Sequence, residues 1–102
     1  MLHYEARGGR VAARRWRSPW GEVDLIVRLD GRVVIVEVKK ARSLEQAALR
    51  LGRRQMDRLC AAAQTFCQGE PLGSLTDLRF DLALVDGMGR IRVVENAFGE
   101  DW

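Results

Sequence analysis

The sequence predicts a single α/β domain in which helices flank a mixed central β-sheet of about five strands. Three observations lead to this prediction. Residues 21–40 contain two strand-like runs around the turn dipeptide Asp30-Gly31. A helix-capping signal at Ser43 opens a long helical pattern, and two further strand-like runs come after it. With 102 residues, of which 47% are hydrophobic, the chain can bury one modest core.

Three more strands are expected around the central hairpin. The first is predicted over 11–17, and the last two over 78–85 and 90–94, joined by a glycine-rich turn. No repeat or low-complexity linker interrupts the chain. We therefore expect one domain over 1–102, with an ordered core at about 8–98 and a loose tail after it.

The central helix is predicted from its capping box and its apolar spacing. Ser43 is the expected N-cap and Gln46 lies three residues on, as a capping box requires. Gly52 should weaken or break the helix, and Gly69 should end it. Apolar residues recur at core-facing spacing in the second half, at Met56, Leu59, Cys60, Ala63 and Cys67.

The hairpin predicts a pair of opposed carboxylates. With Asp30 and Gly31 as a two-residue primed turn, Asp24 faces Glu37 and Glu22 faces Lys39. These four charged side chains then share one face with isoleucines, because side chains alternate along a strand. The other face is wholly apolar and should be buried, with Val23, Leu25, Val27, Val34, Val36 and Val38 on it.

Two carboxylates placed in this way favour a divalent cation. Opposed side chains have Cβ atoms about 4.5–5.5 Å apart, and at an effective dielectric near 20 the two charges repel by roughly 3 kcal/mol. Asp24 and Glu37, with the backbone carbonyl of Val38 and water molecules, form the oxygen ligand set that Mg²⁺ or Mn²⁺ accepts. Lys39 would orient a water molecule or offset charge on a phosphate, and Glu22 would bind a second ion or pair with Lys39. The alternative is that these side chains form only a solvated rim.

Charge is distributed unevenly along the chain. Residues 1–60 carry 14 basic and 7 acidic residues, a net +7, whereas residues 61–102 carry 3 and 7, a net −4. The basic half contains the candidate metal site and suits a phosphate backbone. The alternative is an ordinary solvated surface. The basic residues that we expect to contact nucleic acid are Arg15, Arg17, Lys40, Arg42, Arg53 and Arg54. Trp20 would stack on a base or cover the edge of the core.

Targeting signals are not visible in the sequence. No run approaches the 18 or so apolar residues of a membrane span, and the first residues lack the pattern of a signal peptide. We therefore expect a cytoplasmic protein without a membrane partner.

Several motifs in order resemble the YraN family of small bacterial proteins. They are Arg-Trp-Arg at 15–17, Gly-Glu-Val-Asp-Leu-Ile at 21–26, Val-Glu-Val-Lys at 36–39, Arg42-Ser43, Arg79-Phe80-Asp81 and Asn96-Ala97-Phe98. That family is assigned to the restriction-endonuclease-like superfamily and is similar to archaeal Holliday-junction resolvases. The resemblance implies a restriction-endonuclease-like fold with Asp24, Glu37 and Lys39 as catalytic residues. Val23 stands where the superfamily motif has proline, Gln55 loosely matches a polar helix position near the site, and the N-terminal helix is expected to be shortened.

Two functions therefore stand as hypotheses. The first is a Mg²⁺- or Mn²⁺-dependent endodeoxyribonuclease that hydrolyses DNA phosphodiester bonds, with branched or junction DNA as a candidate substrate. By analogy with junction-cutting relatives, such an enzyme would be a homodimer. The second is a catalytically inactive nucleic-acid-binding protein on a nuclease scaffold. A weaker third option is a protein-interaction domain in which the hairpin charges are incidental.

Overall fold

Five strands form one mixed sheet in the computed structural model, in the order β1-β2-β3-β4-β5. β3 and β4 are parallel, and the other neighbouring strands are antiparallel. The strands are β1 (Arg10–Ser18), β2 (Gly21–Leu29), β3 (Arg32–Lys40), β4 (Asp77–Val85) and β5 (Ile91–Phe98). The helices are α1 (Leu2–Glu5) and α2 (Leu44–Cys67), and a short 3₁₀ helix spans Gly73–Leu75. The prediction of an α/β domain with about five strands is confirmed.

The structure describes residues 1–98, except for the side chain of Ala48. The tail expected after the core lies outside these residues. Within them, no helix is both long enough and apolar enough to cross a membrane.

The hairpin between β2 and β3 has the predicted turn and, near the turn, the predicted register. Asp30 and Gly31 both have positive φ, 52° and 77°, as a primed two-residue turn requires. Leu29 pairs with Arg32, and the backbone pairing continues as far as Leu25 and Val36. Beyond that point β2 and β3 do not pair, so the predicted pairs Asp24–Glu37 and Glu22–Lys39 are not formed by the backbone.

The alternation of side chains along β2 changes where the pairing stops. Val23 packs with Ile26 in the cluster beneath α2, whereas Leu25 packs on the opposite face. The prediction that Val23 shares a face with Leu25 is therefore wrong. Val38 was also expected on a buried apolar face, but it is 40% exposed. The register of β1 against β2 shifts between Val11 and Ala13, so the strand beside this region is irregular as well.

Helix α2 covers one face of the sheet and α1 covers part of the other. Beneath α2 the core includes Val23, Ile26, Ile35, Leu59 and Phe98. On the α1 face, Tyr4 is fully buried with Val27, Val34, Val36 and Ala83. The short N-terminal helix, which is only four residues long, thus places one aromatic side chain into the second core cluster.

The start and the break of α2 are as predicted. The backbone N–H of Gln46 donates to Ser43 Oγ at 3.2 Å, and the Gln46 side chain accepts from the backbone N–H of Arg42 at 2.8 Å. Gly52 has φ 55° and ψ 160°, which are not helical values, and it divides α2 into two helical segments. The second segment carries the buried stripe that packs on the sheet.

Strand β5 is longer than predicted. It extends from Ile91 to Phe98, whereas the sequence pattern indicated a strand ending at residue 94. The irregularity lies near Asn96, which has a positive φ of 53°, and the pairing register with β4 shifts between Phe80 and Leu82. This register shift is a β-bulge, and beyond it Phe98 pairs with Phe80. The bulge breaks the alternation of side chains, so the sequence pattern did not indicate the last residues of the strand.

Candidate functional site

A notch opens where β2 and β3 separate at one end of the sheet. The pairing of β1 with β2 continues to Ser18 and Gly21, and that of β3 with β4 continues to Lys40 and Val85. At this end of the sheet, only β2 and β3 separate from each other. We call this gap the notch, and its walls are formed by Asp24, Glu37, Lys39, Gln55 and Arg58.

In the notch, the side chain of Asp24 replaces a backbone carbonyl as the hydrogen-bond acceptor for Val38. Its Oδ2 accepts a hydrogen bond of 2.8 Å from the backbone N–H of Val38. In an antiparallel pair, the N–H and C=O of one residue point towards the same neighbouring strand. The carbonyl of Val38 therefore also points towards β2, the strand that carries Asp24.

Glu37 is the buried acid of the notch, with 3% of its surface exposed. It lies on the α2 face, where the side-chain amide of Gln55 donates to its Oε2 at 2.7 Å. Two cations are further away: Lys39 Nζ lies 3.9 Å and Arg58 Nη2 lies 3.8 Å from the same oxygen. Glu37 thus has one close hydrogen bond and two loose ion pairs.

Burial and a second carboxylate raise the pKa of Glu37 to about 7. Burial is the larger cause, since it disfavours the charged form, and the hydrogen bond and negative charge of Asp24 add to it. The hydrogen bond from Gln55 and the charge of Lys39 act in the opposite direction. The two acids predicted from the hairpin are therefore close enough for Asp24 to raise the pKa of Glu37, although the backbone register that was expected to join them is absent.

Arg58 ties α2 to the start of β2. Its Nη1 donates to the carbonyl of Glu22 at 3.0 Å and to that of Trp20 at 3.4 Å, and its Nε donates to Gln55 Oε1 at 3.2 Å. A Cβ on Gly21, whose φ is 114°, would lie 2.6 Å from Arg58 Nη1. Glycine is therefore favoured here for its backbone conformation, and a Cβ would displace the Arg58 guanidinium.

Arg58 was not among the residues that the sequence predicted for the site. Gln55, which matched only loosely a polar helix position near the site, donates a hydrogen bond to Glu37. The signal that could have found both is their spacing. Residues three apart are neighbours on one helix face.

Glu22 lies away from the notch and does not pair with Lys39, which corrects the prediction. Glu22 Oε1 lies 3.0 Å from Arg15 Nε, and its Oε2 lies 3.9 Å from Arg17 Nε, both on β1. The cause is the change of alternation in β2. With Val23 turned under α2, Glu22 faces the opposite side of the sheet. Its tentative assignment as a metal ligand has no support from this geometry.

The basic residues predicted to contact nucleic acid are all exposed: Arg15, Arg17, Lys40, Arg42, Arg53 and Arg54. Arg15 and Arg17 flank Glu22, and Arg53 Nε lies 3.4 Å from Asp57. Lys40 is the last residue of β3, and Arg42 lies two residues beyond it, next to the notch. Their binding partner stays a prediction.

The two tryptophans near the notch differ in burial. Trp16 packs edge-on against Phe66 at the border of the core. Trp20 is 53% exposed, and its indole N–H donates to Thr65 Oγ1 at 3.2 Å. The indole nitrogen of Trp20 is therefore held against α2, while a large part of its ring is accessible.

The donor set of the notch fits a divalent ion that keeps several waters. Among residues 1–98, no three His, Cys, Asp or Glu side chains come together in a way that could hold a metal ion. The notch offers two carboxylates, Asp24 and Glu37, and the Val38 carbonyl. Mg²⁺ is usually bound through one or two carboxylates with water completing its shell, so these oxygens are sufficient in kind and number.

Comparison with known proteins assigns the chain to a family. A family model described as "Uncharacterised protein family UPF0102" matches residues 1–85. The chain belongs to the UPF0102 family. This is the YraN family that the sequence motifs resemble. A UPF0102 protein of Cereibacter sphaeroides is 58% identical over 95 residues, covering 93% of this chain and 81% of the relative. A UPF0102 protein of Ruegeria pomeroyi is 57% identical over 99 residues, covering 97% and 80%.

More distant members keep the similarity over most of the chain. A UPF0102 protein of Dinoroseobacter shibae is 44% identical over 93 residues, which cover 91% of this chain and 69% of the relative. The matched family region, residues 1–85, contains the whole notch of this UPF0102 protein but ends before β5.

Proposed function

We propose that this UPF0102 protein is a Mg²⁺- or Mn²⁺-dependent endonuclease-like phosphodiesterase that acts on DNA, on a restriction-endonuclease-like scaffold. The observation that carries the proposal is the buried acid pair in the notch. Glu37 is almost inaccessible, is in contact with Asp24, and has Lys39 beside it. Burying a carboxylate beside a like charge is unfavourable unless another group neutralises it, and a divalent cation does so.

Asp24, Glu37 and the Val38 carbonyl would hold the ion. When bound, such an ion supplies a Lewis acid for a phosphate oxygen and lowers the pKa of a bound water. Asp24 is already held by the Val38 N–H, and Glu37 by Gln55, so both carboxylates are oriented before an ion arrives.

Lys39 would act on the reacting phosphate. Its ammonium lies 3.9 Å from Glu37 and its side chain is 25% exposed, so it reaches both the buried acid and solvent. An ammonium in this position can hold a water by hydrogen bonding and stabilise negative charge that develops on phosphate oxygens. Arg58 and Gln55 would keep Glu37 and the start of β2 in place.

DNA is the proposed substrate because the surroundings of the notch are basic. Lys40 ends β3, Arg42 lies just after it, Arg53 and Arg54 lie on α2, and all four are exposed. Exposed cations of this kind bind phosphate backbones without reading sequence. Branched DNA as the preferred form, and a homodimer that would make two matched incisions, are part of this proposal by analogy with junction resolvases.

Cleavage of labelled linear and branched DNA in Mn²⁺ tests the proposal. We expect Asp24→Asn and Lys39→Ala to lose about 10²-fold or more in rate, since each removes a group that acts on the reacting centre. The asparagine side chain retains an oxygen that can accept from the Val38 N–H, so Asp24→Asn should fold. Asp57→Asn, which removes an exposed carboxylate from α2, is the matched control and should cleave like wild type. Cleavage that survives Asp24→Asn unchanged would refute the assignment.

A second candidate is a nucleic-acid-binding protein without turnover. The number of carboxylates favours it: the notch has two, and Glu22 is occupied by Arg15. This candidate predicts salt-dependent DNA binding without cleavage in Mn²⁺. Calorimetric titration with Mn²⁺ separates the two, because only the phosphodiesterase requires a specific ion site that Asp24→Asn abolishes.

A further inference from the structure

A basic groove lies next to the notch, at the same end of the sheet. It consists of two adjoining open cavities of about 360 and 270 Å³, which share Ala41, Arg42 and Asp86 on their walls. The groove runs between the connection from β3 to α2 and the turn from β4 to β5. The charged residues that line it are Lys40, Arg42, Arg50, Arg90, Arg92 and Asp86.

The charge of the groove is largely unneutralised. Asp86 is engaged by Arg90: its Oδ2 accepts from Arg90 Nε at 2.8 Å, and its Oδ1 accepts from the backbone N–H of Arg90 at 3.0 Å. Within residues 1–98, no carboxylate lies within 4 Å of the cationic groups of Lys40, Arg42 or Arg92. With five basic residues and one acidic residue lining two small cavities, the groove suits a ligand with several negative charges.

The fold, and not the sequence, brings this groove together. Arg90 and Arg92 belong to the acidic part of the chain, after residue 60. Parallel pairing places Val85 beside Lys40, and β5 then places Arg92 opposite Leu84. Leu84 packs beneath α2, so Arg92, directly opposite it, lies on the same face as the notch.

The groove is close enough to the notch to serve one polymeric ligand. Lys40 is three residues beyond Glu37 on β3, about 10 Å along a strand that rises about 3.3 Å per residue. A phosphodiester no larger than a dinucleotide linkage would fill the notch and leave the groove empty. A nucleic-acid strand with one phosphate at Lys39 would present its next phosphates to the groove.

We propose that Lys40, Arg42, Arg50, Arg90 and Arg92 form a binding groove for the phosphates of the same DNA strand that flank the reacting one. The inference rests on the proposed function, and it defines the substrate as a polymer that extends past the notch on the β4 side. Arg90 and Arg92 are then backbone-binding residues, which sequence reasoning did not select.

Binding measurements test the groove without depending on catalysis. We would follow the anisotropy of a fluorescein-labelled DNA duplex in EDTA, from about 50 to 200 mM salt. Arg42→Ala and Arg92→Ala should each reduce the slope of log affinity against log salt by about 1. The double variant should bind about 5- to 30-fold more weakly at low salt, as expected for two ion pairs of about 0.5–1 kcal/mol each.

Matched variants give the controls. Arg10→Ala removes one exposed charge at the opposite end of the sheet, where Arg10 pairs with Arg28, and should leave slope and affinity unchanged. Arg92→Lys keeps the charge and should restore binding. A thermal melt of each variant confirms that these exposed substitutions leave the fold intact.

The outcomes separate the groove from the proposed reaction. If Arg42→Ala and Arg92→Ala bind as Arg10→Ala does, the groove is overturned, even if Asp24→Asn abolishes cleavage. If these variants lose binding while the wild-type protein never cleaves DNA, the binding groove is supported and the proposed phosphodiesterase activity is refuted. Where cleavage is found, groove variants should raise KM for DNA and leave hydrolysis of bis(4-nitrophenyl) phosphate unchanged. A wild-type protein that does not bind the duplex at low salt overturns the groove.

Discussion

Replacing Glu37 by glutamine should stabilise the fold at neutral and alkaline pH. The two side chains have the same shape, and a glutamine oxygen can still accept the hydrogen bond that Gln55 now donates to Glu37 at 2.7 Å. The substitution removes a negative charge that is buried beside Asp24. The fold would therefore lose an unfavourable charge and keep its packing.

The pKa of Glu37 gives the magnitude. It is raised from 4.5 to about 7, and each unit corresponds to about 1.36 kcal/mol, so the ionised form of Glu37 destabilises the fold by about 3 kcal/mol. The sign follows from proton binding. Below pH 4.5 the carboxyl is protonated in both states and contributes nothing. Between 4.5 and 7 the folded state holds a proton that the unfolded state releases, so stability falls as pH rises. Above pH 7 the whole penalty is present.

Urea unfolding at pH 4.5 and pH 8 measures this difference. We expect Glu37→Gln and wild type to have similar free energies of unfolding at pH 4.5. At pH 8 the variant should be about 3 kcal/mol more stable, equivalent to a rise of roughly 12–24 °C in Tm for a domain of this size. Asp57→Asn, on the exposed face of α2, should differ from wild type by less than about 1 kcal/mol at both pH values.

Two results would refute this reasoning. One is a Glu37→Gln variant that is no more stable than wild type at pH 8. The other is a difference between the two proteins that does not change with pH, because a pH-independent gain would come from packing and not from ionisation. A carbon-13 NMR titration of Glu37 checks the same pKa directly.

Three further predictions concern other parts of the molecule. Gly52→Ala should destabilise the fold by about 1–3 kcal/mol in urea, because φ 55° with ψ 160° is a glycine conformation; Gly69→Ala, at an ordinary φ, is the control and should change little. Asp81→Asn should destabilise by about 1.5–3 kcal/mol, since it removes the closer of the two carboxylates that pair with the Arg79 guanidinium and leaves only Glu95, at 3.5 Å; a loss below about 1 kcal/mol would contradict this. If the notch binds Mn²⁺, its affinity measured by calorimetry should fall about tenfold per pH unit below pH 7, because protons compete at Glu37; an affinity independent of pH would argue against the site.

The elements that sequence reasoning predicted well are those set by local signals. Asp30-Gly31 fixes a primed turn wherever it joins two strands, so the register near the turn was correct. Ser43 and Gln46 define the start of α2 through bonds within a few residues, and Gly52 interrupts it for a reason internal to the backbone. None of these features depends on a distant part of the chain.

The details of the notch could not be predicted because they depend on irregular strands. A strict alternation places Val23 and Leu25 on one face, but β2 shifts its faces between Val23 and Ile26. β1 is irregular beside it, with a register shift and a positive φ of 48° at Arg15. The sequence carries no glycine or proline at these positions of β1, so no local signal marked the shift.

Long-range contacts are the second reason why the details of the site could not be predicted from the sequence. Arg58 reaches Glu22 across 36 residues, and Arg92 reaches the surroundings of Lys40 through two intervening strand pairings. A charge profile along the chain assigns Arg92 to an acidic region, although the sheet places it in a basic groove near the site. Only the order of the strands connects these residues.

Two buried carboxylates in this sheet show how a structural acid differs from one that is available for chemistry. Asp81 is fully buried and receives four hydrogen bonds, two of them from the fork of Arg79 at 3.0 Å, so its charge is neutralised within the protein. Glu37 is almost as deeply buried, but it has one close donor, Gln55, two cations at 3.8 and 3.9 Å, and the second acid Asp24 in contact. A protein that required only stability would pair Glu37 as it pairs Asp81, or replace it with an apolar residue. The negative charge of Glu37 is therefore only partly neutralised within the protein. This is the physical reason to look for a cation, and then a phosphate, at this end of the sheet.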